Sequence, residues 1–410
     1  MIRRVVSANA ILLLQHAVGS LVPLLLLPHI VRSIGLAEYG HLAVALAWGA
    51  YGAVIVQYAF QLTGPRRVAQ ISSGETPGTI FAEIFSAKLM LLLGVLLLAL
   101  IMGLIFANHS STWAERIPVL SLPIAASLNS TWFLQSQGRF AWVCTAAVIG
   151  SATTLAFGFS FVTDGDVHSK TMAAVAIVMG PLIIGGTTLV FAVQSIFYRD
   201  IHWQSIRPSN ALKEGLPLFG SQFVSAIYML SGPIVIEFFI GAQAAGAYSA
   251  VERLINAIVS ASLLTHVAAY PSLAAAYSKD RNNYWRMMRF VLTGYLAVTG
   301  IIVVIAWTLR DSIVSFLLGS TAEGHSALIA WGLAWMMLSV FGTALTGYLT
   351  VSGRSDIVMS LTLKILTSAV ALGVPAVLFF GSAGWMAAMV LSQFQVLHTG
   401  YRFWRIEHVA

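Results

Sequence analysis

The chain is built from about twelve stretches of roughly 20 apolar residues, separated by short polar breaks, and about 20 apolar residues is what a helix needs to cross a bilayer. The stretches lie near 9–31, 40–62, 84–107, 117–136, 140–163, 172–196, 215–239, 246–270, 287–309, 325–349, 357–380 and 384–403. A segment in hydrocarbon must satisfy its own backbone hydrogen bonds, so these stretches read as helices and the chain as an all-α polytopic membrane protein. Only 9% of its 410 residues are charged. Soluble proteins carry roughly 25%, so a soluble surface of this size would go uncovered. The first stretch follows Arg3 and Arg4 but runs too long for a signal peptide, and no small-residue cleavage site closes it.

Charge gives the orientation. Of the 22 Lys and Arg, only Arg32, Arg116, Lys170 and Arg310 fall on one face of a twelve-span map, and Lys88, Arg253 and Lys364 fall inside spans. All the others fall on the opposite face. Under the positive-inside rule that face is cytoplasmic, and so are both termini. The net charge of +7 reads first as this orientation signal and second as affinity for anionic lipid or substrate.

The two halves repeat. Thr131, Phe133, Leu134, Gly138 and Arg139 recur as Thr346, Tyr348, Leu349, Gly353 and Arg354, at one offset of 215. Ser20 and Pro28 match Ser225 and Pro233 at 205, and Ile34, Gly35 and Gly40 match Ile240, Gly241 and Gly246 at 206. The offset grows along the chain, as small insertions would cause. An even number of spans per copy makes the copies parallel, related by a pseudo-two-fold axis along the membrane normal. The expected organisation is a six-helix lobe over 1–198, a cytoplasmic interfacial linker over 199–214 containing Trp203 and Pro208, and a second six-helix lobe over 215–410.

Enzyme chemistry finds little support. There is no Gly-Lys-Ser/Thr phosphate loop, the histidines show no ligand spacing, and Cys144 is the sole cysteine. Asp164-Gly-Asp166 has the form of a metal–nucleotide-sugar site but falls on the non-cytoplasmic side, where a polar turn is the better reading. No cofactor, metal or nucleic acid is expected.

The polar residues inside the spans carry the functional reading. His16 and Ser20 share a helical face in the first span, as Ser225 and Tyr228 do in the seventh. Trp48, Tyr51 and Tyr58 form an aromatic face in the second. In the eighth, Ser249, Arg253, Asn256 and Ser260 share a face, with Glu252 adjacent. Polar faces in lipid turn toward protein or water, so these line either a hydrated central cavity or an interhelical hydrogen-bond network. Arg253 and Lys364 are the cations that would meet an anionic headgroup, and Glu237 is a counter-ion or coupling group for Arg253. Lys88 sits near the cytoplasmic end of its span, where snorkelling is expected. Pro23 and Pro28 in the first span, and Pro217 and Pro233 in the seventh, favour bends.

The run from Pro28 to Gly40, Pro-His-Ile-Val-Arg-Ser-Ile-Gly-Leu-Ala-Glu-Tyr-Gly, resembles the helix 1–2 junction of Wzx-type polysaccharide biosynthesis flippases, of the multidrug/oligosaccharidyl-lipid/polysaccharide exporter superfamily. Gly246-Ala-Tyr248-Ser249-Ala250 and Pro271-Ser-Leu extend the likeness into the second half. The resemblance implies a bacterial inner-membrane protein, not an enzyme, that moves an undecaprenyl-diphosphate-linked glycan unit outward. Its partners would be that lipid-linked oligosaccharide, the bilayer, and polysaccharide polymerase and chain-length proteins. A drug or metabolite antiporter of the same superfamily is the alternative, and a membrane glycan polymerase or ligase a more distant one. An antiporter for cations would be expected to hold a deep carboxylate.

Overall fold

A computed structural model of the chain describes residues 2–71, 75–105, 112–164, 166, 168–196, 201–202, 204, 206–319, 326–352 and 354–409. Within these, the side chains of 2–14, 16–17, 20, 260–272, 274–275, 278–279, 281, 350–351, 355–356 and 403–409 are not described. The described residues form helices α1 (Ile2–Ile34), α2 (Leu36–Gln57), α3 (Phe60–Ala69), α4 (Pro77–Ile105), α5 (Trp113–Leu128), α6 (Thr131–Ser136), α7 (Phe140–Phe161) and α8 (Ser169–Gln194). The second half follows with α9 (Pro208–Phe239), α10 (Ala242–Lys279), α11 (Arg281–Thr308), α12 (Arg310–Leu318), α13 (Ser326–Val351), α14 (Ser355–Phe380) and α15 (Ser382–Val409).

Among the described residues nine helical stretches are long and apolar enough to cross a membrane, and the protein is a multi-pass membrane protein. The expected spans at 9–31, 246–270 and 384–403 fall on α1, α10 and α15, outside these nine. In α15 the polar residues Gln393, Gln395 and His398 interrupt the apolar run. Helix α4 shows why lipid is the solvent. Leu93, Leu97, Leu100 and Leu104 are exposed along one helical face, a stripe that water would not tolerate.

The chain divides into two compact units. One comprises Met1–Ile34 and His41–Leu230, the other Gly35–Gly40 and Ser231–Ala410. In the first, α8 packs on α5 and α7, and α7 on α1. In the second, α15 packs on α13 and α14, and α10 on α11 and α13.

The internal repeat is visible in the backbone. Arg139 and Arg354 share one conformation, φ −87 and ψ 50 against φ −96 and ψ 52. Each donates its N–H to the leucine five residues back, Leu134 or Leu349, at 2.9 Å. Each then accepts from the residue three ahead, Trp142 or Ile357, at 3.2 Å. The aromatic–leucine pair before each arginine anchors a buried cluster: Phe133 and Leu134 with Phe81 and Ile84, and Tyr348 and Leu349 with Tyr284 and Met288. Gly353, between the pair and its arginine, lies outside the described residues.

Gly35 and Gly241 precede α2 and α10 with φ +84 and +120, values that favour glycine. The two helix starts then meet reciprocally. A Cβ on Gly40 would come 1.8 Å from the Ala242 carbonyl oxygen, and one on Gly246 would come 2.2 Å from that of Leu36. Both contacts obey the 206 offset, so this is a local two-fold contact between repeat-related turns. One expectation needs correcting. Thr76 and Asp280 both cap the next helix, accepting from Thr79 N and Asn283 N, and their offset is 204. The offset therefore falls before it rises, and the copies differ by deletions as well as insertions.

Two expected spans are interrupted. The stretch at 40–62 breaks at Tyr58 and Ala59, which take φ 44 and 60, left-handed values that cost a non-glycine residue about 1–2 kcal/mol each. The ring of Tyr58 is stacked on Phe219, with centroids 4.3 Å apart, and lies in an apolar cluster with Phe60 and Phe81. The stretch at 117–136 breaks between α5 and α6. Here Lys88 corrects the snorkelling expectation. It is buried, and its Nζ donates to Asn129 O at 2.6 Å and Ala126 O at 3.2 Å. A helix end leaves carbonyls without intrahelical donors and favours a cation, so the ammonium turns inward to them. The prolines at 23, 28, 217 and 233 break neither α1 nor α9.

Candidate functional site

The residues expected to line a cavity separate into groups. His16 and Ser20 lie on α1, where their side chains are outside the described residues. On α2, Trp48 is exposed and its ring centroid lies 5.9 Å from that of Tyr51. The Tyr51 hydroxyl donates to Ile227 O on α9 at 3.2 Å, and Tyr58 is buried against Phe219. Ser225 donates to Ser221 O within α9 at 2.9 Å, and Tyr228 is buried. Tyr51 and Tyr58 thus hold α2 to α9, and Trp48 is the member of this group left open.

The other group belongs to the second unit. Arg253 and Asn256 are half-buried on α10, Glu237 is half-buried near the end of α9, and Lys364 is exposed on α14. The Arg253 guanidinium lies over the Tyr39 ring, 5.8 Å from its centroid. Tyr39 itself is completely buried at the start of α2. Glu252 immediately precedes Arg253 on α10. The Glu252 carboxylate accepts from the Tyr248 hydroxyl at 3.2 Å. Ser249, Glu252, Arg253 and Asn256 follow at i, i+3, i+4 and i+7, which is one helical face. The sequence singles out Glu237 as an acid for Arg253, and Glu252 is a second acid, next to Arg253 on α10. Tyr39 was not legible as a member, because it is distant in sequence and reaches Arg253 only through the glycine-mediated contact of α2 with α10.

Such a site can hold an anion. It offers a planar cation with a fork of donors on the polar face of α10, with the Tyr39 ring against it. Among the described residues no group of three or more His, Cys, Asp or Glu side chains is placed to hold a metal ion. Asp166 is solvent-exposed in the turn before α8, where the His168 backbone N–H holds its carboxyl below the usual carboxylate range.

The fold is that of the transporters of the multidrug/oligosaccharidyl-lipid/polysaccharide superfamily. Over 98% of this chain it is similar to the inward-facing conformation of a multidrug resistance MATE family transporter of that superfamily, with a TM-score of 0.70, 16% identity and 94% of the other chain covered. Over 97% it is similar to the lipid II flippase MurJ in an inward closed conformation, with a TM-score of 0.74, 15% identity and 87% of that chain covered. Residues 6–277 match the polysaccharide biosynthesis protein family, and the chain belongs to it. Its fold is one that solved membrane transporters adopt. A curated relative from Escherichia coli (strain K12), named "Putative O-antigen transporter", is 21% identical over 266 residues. That match spans 64% of this chain and 63% of the relative, less than two thirds of its length.

Proposed function

We propose that this protein is a flippase that carries an undecaprenyl-diphosphate-linked oligosaccharide from the cytoplasmic to the outer leaflet of a bacterial inner membrane. Twelve spans would form two six-helix lobes, residues 1–198 and 215–410 joined by a cytoplasmic linker at 199–214, with both termini cytoplasmic. The lobes would be related by a pseudo-two-fold axis along the membrane normal and would alternate access by rocking. The observation that carries the reading is Arg253, a cation on the polar face of α10 in a chain of the polysaccharide biosynthesis family. Arg253 would bind the diphosphate, assisted by Lys364, with Trp48, Asn256 and the polar faces of α1 and α9 along the glycan's path.

The energetics suit the task. A diphosphate carries about two negative charges, and each is worth about 2.3 kcal/mol across 100 mV. With the cell interior negative, outward movement of the anion is downhill. What the protein must supply is a hydrated route for glycan hydroxyls, which hydrocarbon rejects.

Deletion of the gene should remove a surface glycan while lipid-linked units accumulate in the inner leaflet, measured by glycan staining and lipid extraction. Glu252, a carboxylate on the same helical face as Arg253, favours the antiporter reading instead. That reading predicts intact surface glycan and increased drug sensitivity in the same deletion strain.

A further inference from the structure

The Arg253 site contains more polar groups than one cation needs. The Tyr39 hydroxyl and the Ser249 hydroxyl are both buried, and neither has a hydrogen-bond partner among the described residues. Buried hydroxyls are rarely left without a partner, so one on the ring that faces the guanidinium and one a helical turn before Arg253 point to a ligand that accepts from both and from the arginine. Ser249 precedes Arg253 by one helical turn, and Tyr39 presents its ring to the guanidinium.

Glu252 opposes such a ligand. Its carboxylate is fixed by Tyr248, whose ring is wedged in place by the close approach of α9. A Cβ at Gly232 would stand 2.6 Å from the Tyr248 hydroxyl oxygen and 2.6 Å from a ring carbon. An acid held beside the cation of this helical face lowers the pull of that cation on every anion. The penalty falls hardest on anions that make few contacts, and a phosphoryl group with several acceptor oxygens can overcome it through the hydroxyls. Discrimination by a built-in repulsive group is a common route to specificity.

We propose that Tyr39, Ser249 and Arg253 form a single phosphoryl-binding site and that Glu252 is its specificity-determining counter-charge. The inference rests on the reading of Arg253 as an anion-binding residue and adds the donors and the competitor. The site takes a multiply charged phosphoryl group and rejects small weakly held anions such as sulfate. Tyr248 and Gly232 are positioning residues, since they act only through Glu252.

The test is binding of radiolabelled inorganic diphosphate, and of sulfate in competition, to the purified full-length chain in lipid nanodiscs at one fixed pH. Arg253→Ala should lose diphosphate binding by at least about tenfold, as expected for a charge-assisted contact. Tyr39→Phe and Ser249→Ala should each weaken it several-fold. Glu252→Gln should tighten both anions and improve sulfate more than diphosphate, so the preference between them shrinks. Glu252→Asp, which keeps the charge, should retain the preference and guards against a folding defect in the Gln variant. If Arg253→Ala removes binding but Glu252→Gln leaves the preference unchanged, the counter-charge role is wrong and the anion-binding reading stands. Should Tyr39→Phe and Ser249→Ala bind like the parent, they are not part of the site. If neither the parent nor Glu252→Gln binds diphosphate, or Arg253→Ala binds as well as the parent, the site itself is overturned.

Discussion

Helices α2 and α10 begin alike and then diverge. Their first turns are related by the 206 offset, with Gly35 and Gly241 both at positive φ and Gly40 and Gly246 in reciprocal contact. From there the paired positions change character. Ala43, Leu46, Ala47 and Ala50 of α2 correspond to Ser249, Glu252, Arg253 and Asn256 of α10. In the other direction, Trp48 and Tyr51 of α2 correspond to Leu254 and Ala257. The duplication supplies the scaffold twice, while charge is installed in one copy and aromatic surface in the other. Physical cost explains why. Each charge inside a membrane is expensive, and a symmetric pair would double that cost without adding a second ligand.

Helix continuity shows the same asymmetry. The first copy breaks at Tyr58–Ala59 and between α5 and α6, where α10 and α13 run on unbroken. At the second break the carbonyls of Ala126 and Asn129 are served by Lys88. The position corresponding to Lys88 at the local offset of 204 is Leu292. A continuous α13 bonds its own carbonyls and has no use for a buried cation.

The comparison can be broken most directly at the shared contact. Gly40→Val and Gly246→Val should both abolish folded protein in detergent-solubilised membranes, because each drives a side chain into backbone that cannot move aside. Gly94→Ala, with nothing within 4 Å, should be tolerated. A folded Gly246→Val paired with an unfolded Gly40→Val would show that the contact is not reciprocal in energy.

The breaks are expected to give smaller effects. Lys88→Met should destabilise the protein by about 1–3 kcal/mol in thermal or denaturant unfolding, since it strands carbonyls at the end of α5. Leu292→Met, a volume-conserving swap, should cost under about 1.5 kcal/mol. Equal losses would remove Lys88 as the reason the break is tolerated.

Smallest of all is the left-handed turn. Ala59→Gly should be neutral or stabilising by up to about 1 kcal/mol, because glycine relieves the positive φ while losing more chain entropy on folding. The corresponding Thr265→Gly in continuous α10 should destabilise by several tenths of a kcal/mol. Opposite signs at paired positions would sharpen the contrast between the copies, and equal signs would contradict the strain.

Much of this was legible in the sequence because the bilayer enforces it. Lipid demands apolar length, so the helical segments announce themselves, and the repeat survives at turns such as Gly138–Arg139 where only certain residues fit. The first break was hidden because Tyr58 and Ala59 are ordinary apolar residues, and the Phe219 ring on which Tyr58 stacks is far away in sequence. Lys88 misled for a related reason. Its depth suggested a reach to water, and the carbonyl acceptors that draw it inward exist only once α5 ends. Arg253 stood out as a charge in an apolar run, but its neighbour Tyr39 comes from another helix, and no pattern within α10 could point to it.

The central claim, that this chain carries lipid-linked oligosaccharide across a bilayer by way of Arg253, is tested most directly in proteoliposomes. Purified protein is reconstituted with undecaprenyl-diphosphate-linked oligosaccharide, and the fraction reached by an added glycosidase is followed over time. The account predicts that the parent chain renders the inner-leaflet pool accessible at a rate well above protein-free vesicles. It also predicts that Arg253→Ala slows that rate at least about tenfold with equal protein incorporated. Accessibility no faster than in protein-free vesicles, or an undiminished rate with Arg253→Ala, would contradict it.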